Sequence, residues 1–163
     1  MEIKKILLAD DEANFRELIE EWIENFSQET DNKIYLINAI DGEDAIKKFD
    51  ESIKKNKPFD VAIIDYFMPK FFGTDVLKHI VKKFPIPIII ISGVKEAEKI
   101  DFIKEGAIIF EKKPLSYEKF KETLLSVIDL KIHTNDIHLF DHALKKLEEV
   151  VSEIEKKIKN KIL

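Results

Sequence analysis

An α/β fold with a doubly wound, five-stranded parallel sheet is what this 163-residue sequence predicts. Three observations carry that expectation. Short runs rich in Ile and Val recur along the chain, segments with helical spacing separate them, and the later runs are almost unbroken in apolar residues. Strands buried on both faces of a parallel sheet have that last character, and each parallel connection must cross the sheet through a helix.

The first strand is expected over Ile3 to Ala9 and the next over Ile34 to Ala39. Val61 to Ile64, Ile86 to Ile91 and Ile108 to Phe110 supply the remaining three. Between the first two, Phe15, Leu18, Ile19, Trp22 and Phe26 share one face of a helix, while Arg16, Glu17, Glu20, Glu21 and Glu24 lie largely on the other. Residues 43–55, 74–84, 96–105 and 116–129 read as the other helices. The four glycines, Gly42, Gly73, Gly93 and Gly106, all fall in loops or at helix ends.

Ligands of doubly wound sheets bind beyond the carboxyl ends of the strands, at the topological switch point. Asp10 and Asp11 follow the first strand, Asp65 ends the third, Ser92 ends the fourth, and Lys113 lies just after the fifth. All five are therefore expected on one edge. Strand-to-helix loops also carry Asp or Ser simply to cap the next helix, and for Asp11 alone capping explains the residue as well as function does. Capping explains Asp65 poorly, because Pro69 separates it from the helix near Thr74.

Clustered carboxylates need a cation, since two like charges about 4 Å apart repel by about 4 kcal/mol at an effective dielectric near 20. Lys113 offers one positive charge, and hard oxygen ligands with room for water suit Mg²⁺. A nucleophilic Asp in such a setting could attack a phosphoryl donor.

The chain resembles the receiver domain of two-component response regulators over residues 1–130. The resemblance rests on Leu8-Ala9-Asp10-Asp11-Glu12, Ala39-Ile40-Asp41-Gly42 with Ala45, and Ile63-Ile64-Asp65-Tyr66-Phe67-Met68-Pro69 with Gly73. Ile91-Ser92-Gly93, Gly106-Ala107 and Phe110-Glu111-Lys112-Lys113-Pro114 complete it. It implies a flavodoxin-like, CheY-like sheet of strand order 2-1-3-4-5. It also implies that Asp65 is the phosphorylated residue, and that Asp11, Asp65 and the Phe67 backbone carbonyl hold Mg²⁺ while Asp10 acts through a bound water. Ser92 would hydrogen-bond a phosphoryl oxygen. Lys113 would pair with Asp65 or its phosphate, across a cis Lys113-Pro114 bond, with Lys112 a neighbouring decoy.

Phe110 stands where that family keeps an aromatic switch that responds to Ser92, although a plain core residue at a strand end reads the same way. Two departures from the family pattern bear on phosphate lifetime. The positions flanking the path of hydrolytic water are Phe67 and Val94 here, neither of which orients water. Slow self-dephosphorylation is expected.

Composition fits a small cytoplasmic switch: 45% hydrophobic residues suffice for a core, and a formal charge of −5 gives no footprint for nucleic acid. The absence of cysteine excludes disulfide and thiol chemistry, and no apolar run is long enough for a signal peptide or membrane span. There is no Gly-rich nucleotide loop. A phosphatase of the haloacid dehalogenase type would need a second Asp two positions after the nucleophile, where this chain has Phe67.

Residues 131–163 read as a C-terminal helical extension. Ile137, Phe140, Leu144, Leu147, Val151, Ile154 and Ile158 follow steps of three and four, a heptad seam of roughly three repeats. Such a stripe suits a homodimer through 137–158, and equally one more helix packed on the receiver. No DNA-binding output domain is expected in so short a segment. His133, His138 and His142 fit solvated helix positions better than phosphotransfer or metal binding.

The expected function is thus a phosphoacceptor that takes its phosphoryl group from a histidine kinase or phosphotransfer protein onto Asp65 and switches contacts with a downstream effector protein. It would catalyse its own phosphorylation and dephosphorylation without being an enzyme for another substrate. Tail-mediated dimerisation or docking, and a place in a phosphorelay, are the alternatives.

Overall fold

A computed structural model of the chain describes residues 3–93 and 99–130, with residue 152. The chain divides into two units, Met1–Lys131 and Ile132–Leu163, and the account below concerns the first. The expected C-terminal helix, its 137–158 seam, the three histidines and Val94 lie outside the described residues.

Five strands and five helices alternate: β1 (Ile3–Ala9), α1 (Ala13–Glu29), β2 (Lys33–Ala39), α2 (Gly42–Lys54), β3 (Val61–Ile64), α3 (Gly73–Lys83), β4 (Ile88–Ser92), α4 (Lys99–Lys104), β5 (Ile109–Lys112) and α5 (Tyr117–Val127). The strands form one all-parallel sheet of order β2-β1-β3-β4-β5, as the resemblance implies. The order reverses direction at β1, between β2 and β3, which places the loops after β1 and β3 side by side at the carboxyl edge.

β2 begins one residue early, at Lys33, and two further strands differ from the sequence expectation. β4 begins at Ile88 instead of Ile86, because Pro87 has no N–H to give to a ladder. The Pro87 carbonyl still accepts the Ala62 N–H at 3.0 Å, so the residue abuts the sheet without belonging to it. β5 runs to Lys112 instead of stopping at Phe110. It is an edge strand, where Glu111 and Lys112 pair through the backbone while the Glu111 carboxylate accepts from Thr123 Oγ1 at 2.7 Å and the Lys112 side chain reaches water.

Side chains alternate across the sheet and build two separate apolar layers. Leu7, Ala9, Ala62, Ile64, Ile88 and Ile90 point to the side of α2, α3 and α4, where they meet Phe49, Val76, Leu77, Ile80 and Phe102. Ile6, Leu8, Val61, Ile63, Ile89 and Ile91 point to the side of α1 and α5, against Ile19, Trp22, Phe26, Phe120 and Leu124. This period of two explains why β3 and β4 read as continuous apolar runs.

Two helices begin on side-chain caps. The Asp41 carboxylate accepts the Asp44 N–H at 2.8 Å, and Ser116 Oγ accepts the Lys119 N–H at 3.2 Å. Helix α1 begins differently, at Glu12 with no side-chain cap, so Asp11 does not cap it. The capping explanation that was open for Asp11 thereby falls.

Candidate functional site

Each acid at the sheet edge is delivered by the end of a central strand. Asp10 follows β1 and is nearly inaccessible at 1% exposure; Asp65 follows β3 at 6%; Asp11 is exposed. The Asp65 N–H donates to the Ala9 carbonyl at 2.8 Å, which ties the two strand ends together. Asp65 thus sits one residue beyond the strand the sequence expects it to end. One carboxylate oxygen from each of Asp10, Asp11 and Asp65 lies within 4.8 Å of the others.

Lys113 enters from the far side, where the main chain leaves β5 through a cis Lys113-Pro114 bond. Its N–H donates to the Ser92 carbonyl at 2.9 Å, so the same backbone pairing that ends β5 aims its side chain at the acids. Lys113 Nζ donates to Asp10 Oδ2 at 2.8 Å and to Glu12 Oε1 at 3.2 Å, and stands 3.9 Å from Asp65 Oδ1. The ammonium also lies 4.0 Å from the centre of the Phe15 ring. The lysine is therefore shared among three carboxylates and is closest to Asp10.

Burial governs the electrostatics. Desolvation pushes the Asp65 carboxyl up to about 6, with the neighbouring Asp10 charge in the same sense; the nearby Ser92 hydroxyl and the Lys113 charge pull it down. Asp10 is also raised by burial, against the hydrogen bonds from Lys113 and the Glu12 N–H. Burial disfavours the Lys113 charge, yet Asp10 and Asp65 outweigh it and hold the ammonium above its ordinary range.

Two buried polar atoms at this edge have no hydrogen-bond partner among the described residues: Asp65 Oδ1 and Ser92 Oγ, the latter on a side chain with 0% exposure. A buried polar atom left without a hydrogen bond costs about 1–3 kcal/mol, so two of them at one edge call for an explanation outside the packing of the fold. The hard-oxygen donors, the surplus negative charge and an Asp65 oxygen that accepts no hydrogen bond together fit Mg²⁺, which favours carboxylates plus water and phosphate oxygens.

Phe67, two residues past Asp65, is 56% exposed and packs edge-on against Tyr66. Tyr66 in turn stacks with Phe72 and meets Phe102 edge-on. Phe110 is 5% exposed and stacks on Phe102 at 5.5 Å, inside the α4-side layer. All the sequence-expected site residues thus gather at one edge except Phe110, which lies beneath it.

Two participants escaped sequence reasoning. Glu12 shares Lys113 with Asp10, and Arg16 donates from Nη1 to the Asp10 carbonyl at 2.7 Å. Periodicity puts Arg16 on the polar face of α1 and says nothing of a contact with the loop before the helix.

The family model for the response regulator receiver domain matches residues 6–125. A protein-glutamate methylesterase/protein-glutamine glutaminase of Methanosarcina mazei is 35% identical over 114 residues, covering 68% of this chain and 28% of that protein. The chain matches less than half the length of the first curated relatives, at 45%, 28% and 49%. Among solved structures, a response regulator receiver domain protein from Clostridium thermocellum is 28% identical, with a TM-score of 0.67 over 77% of this chain and 94% of that one. The response regulator TrrA from Thermotoga maritima, solved in complex with Mg²⁺ and BeF, is 30% identical, with a TM-score of 0.60 over 76% and 97%. With the sheet order, the acidic edge and these likenesses in agreement, the chain belongs to the response regulator receiver domain family of two-component systems.

Proposed function

We propose that Asp65 is the phosphoacceptor of this receiver and takes its phosphoryl group from a phosphohistidine on a histidine kinase or phosphotransfer protein. The observation that carries the reading is the buried Asp65 Oδ1, which accepts no hydrogen bond and stands beside Asp10, Asp11 and the Lys113 ammonium.

An Asp65 carboxylate oxygen forms the new bond to phosphorus as the nitrogen–phosphorus bond of the donor breaks. The electron pair returns to the imidazole, which takes its proton from solvent. Asp10, Asp11, Asp65 and the Phe67 carbonyl would hold Mg²⁺, which would supply charge neutralisation to the phosphoryl oxygens. Lys113 turns from Asp10 and Glu12 toward the new phosphate, and the Ser92 hydroxyl donates to one of its oxygens. Phe110 then follows Ser92 and alters the surface presented to an effector protein. On this reading the switch works in the cytoplasm, through protein contacts.

Intact-mass spectrometry with Mg²⁺ and acetyl phosphate tests this directly. The native chain should gain one phosphate and Asp65→Asn none; labelling of both, or labelling of neither under acetyl phosphate and a histidine kinase alike, overturns the assignment.

Phe67 bears on how long the phosphate persists. Its ring is the exposed side chain two positions past Asp65 and has no polar atom with which to align water. Phe67→Asn is expected to speed loss of the phosphate severalfold, read as the decay of labelled protein after the donor is removed. An unaltered decay rate counts against it.

A further inference from the structure

Every polar group of Asp10 is engaged. Its N–H donates to the Ala39 carbonyl at 3.1 Å, Oδ1 accepts the Glu12 N–H at 2.8 Å, and Oδ2 accepts from Lys113 at 2.8 Å. The remaining group, the carbonyl, accepts from Arg16 Nη1 at 2.7 Å. Asp11, the next residue, is the opposite case: exposed, with no partner for its carboxylate among the described residues. Its position is therefore fixed by the backbone alone.

The carbonyl that Arg16 holds belongs to the peptide plane joining Asp10 to Asp11. Rotation about the Asp10 Cα–C bond would carry that carbonyl away from Arg16 and swing the Asp11 Cα, and with it the carboxylate, relative to Asp65. Arg16 is the sole arginine among the 27 basic residues. It lies in the first turn of α1, where the helix dipole disfavours a cation, and it forms no ion pair with a carboxylate among the described residues. A planar, multiply donating guanidinium in that unfavourable place, given over to one main-chain oxygen, calls for a reason beyond helix stability.

We infer that Arg16 is a positioning residue for the Mg²⁺ site: by clamping the Asp10–Asp11 peptide it holds the otherwise unsupported Asp11 carboxylate in ligating distance of Asp65. The inference rests on the Mg²⁺ reading above. Groups that orient metal ligands characteristically alter affinity 10- to 100-fold when removed.

Charge and position make opposite predictions here. If Arg16 acted only as a positive charge near the acids, its removal would tighten cation binding, and a lysine in its place would change nothing. If it positions Asp11, removal weakens binding despite the favourable change in charge. The test is calorimetric titration of Mg²⁺ alone into the full chain, with the thermal midpoint of the metal-free protein measured alongside.

Arg16→Ala should bind Mg²⁺ at least about tenfold more weakly, with a metal-free midpoint within a few degrees of the native protein. Arg16→Lys should fall between the two, because a lysine reaches the carbonyl with a shorter, less directional donor. Equal or tighter binding by Arg16→Ala overturns the inference. If that variant does not fold, Arg16→Lys decides, and native affinity in it overturns the inference equally. Asp11→Asn separates the layers of the argument. Its loss of Mg²⁺ binding keeps the metal reading whatever Arg16 does, whereas a native chain that binds no Mg²⁺ removes that reading and the role of Arg16 together.

Discussion

Asp65→Asn, the change expected to abolish phosphorylation, should at the same time stabilise the metal-free protein above about pH 6, by up to about 2 kcal/mol. The folded carboxyl is held near 6, against an ordinary 3.8. Between those values the native state binds the proton more tightly than the unfolded chain does. Stability contributed by protonated Asp65 is therefore present at low pH and lost as pH rises through this window, leaving the ionised group a liability above it. A full two-unit shift corresponds to about 3 kcal/mol, and relaxation of the protein around the ionised group reduces that. Asn carries no charge to desolvate, so the two proteins should be nearly equal at about pH 4 and diverge toward pH 7. Saturating Mg²⁺ should shrink the gap by stabilising only the native chain. Urea denaturation in a chelator across this range checks the prediction, and parallel pH profiles would count against it.

Gly73→Ala should cost about 3 kcal/mol and disable the site as well. A Cβ at Gly73 would lie 2.2 Å from the Asp65 carbonyl oxygen and 2.9 Å from the Tyr66 Cα. Neither neighbour is a side-chain tip that can turn away; both are the main chain that presents Asp65. The Gly73 N–H also donates to the Tyr66 carbonyl at 2.8 Å, holding the start of α3 against this segment. Relief must therefore come from displacing Asp65 itself. Gly93→Ala is the comparison, since a Cβ there meets nothing within 4 Å among the described residues. The expected pattern is a lowered urea midpoint and lost acetyl phosphate labelling for Gly73→Ala, with Gly93→Ala close to native; a native-like Gly73→Ala would show that the loop yields.

The fold was legible in the sequence wherever one local pattern decided the matter. β1, β2 and β3 are apolar runs with clear ends, and their bounds lie within a residue of expectation. β5 was read short because an edge strand accepts Glu111 and Lys112, whose polarity hides the continuing ladder. At the site, Asp10, Asp11, Asp65, Ser92 and Lys113 were legible because strand ends in a doubly wound sheet share an edge. The distribution of Lys113 among Asp10, Glu12 and Asp65 was not, since it joins residues far apart in the chain. No periodicity encodes which of three acids a flexible amine will favour; burial does, and burial exists only in the folded chain. Arg16 on the Asp10 carbonyl is hidden for a different reason: a side-chain donor to a main-chain acceptor leaves no complementary residue to find.

The sheet keeps its two apolar layers apart, with Ile88 and Ile90 on one side and Ile89 and Ile91 on the other. A lineage carrying this chain can therefore remodel the face of α1 and α5 without retuning the face of α2, α3 and α4, since packing strain in one layer meets a wall of backbone before the other. Recognition of different proteins could diverge on the two faces at different tempos, while the edge they share, where the acids sit, stays answerable to both.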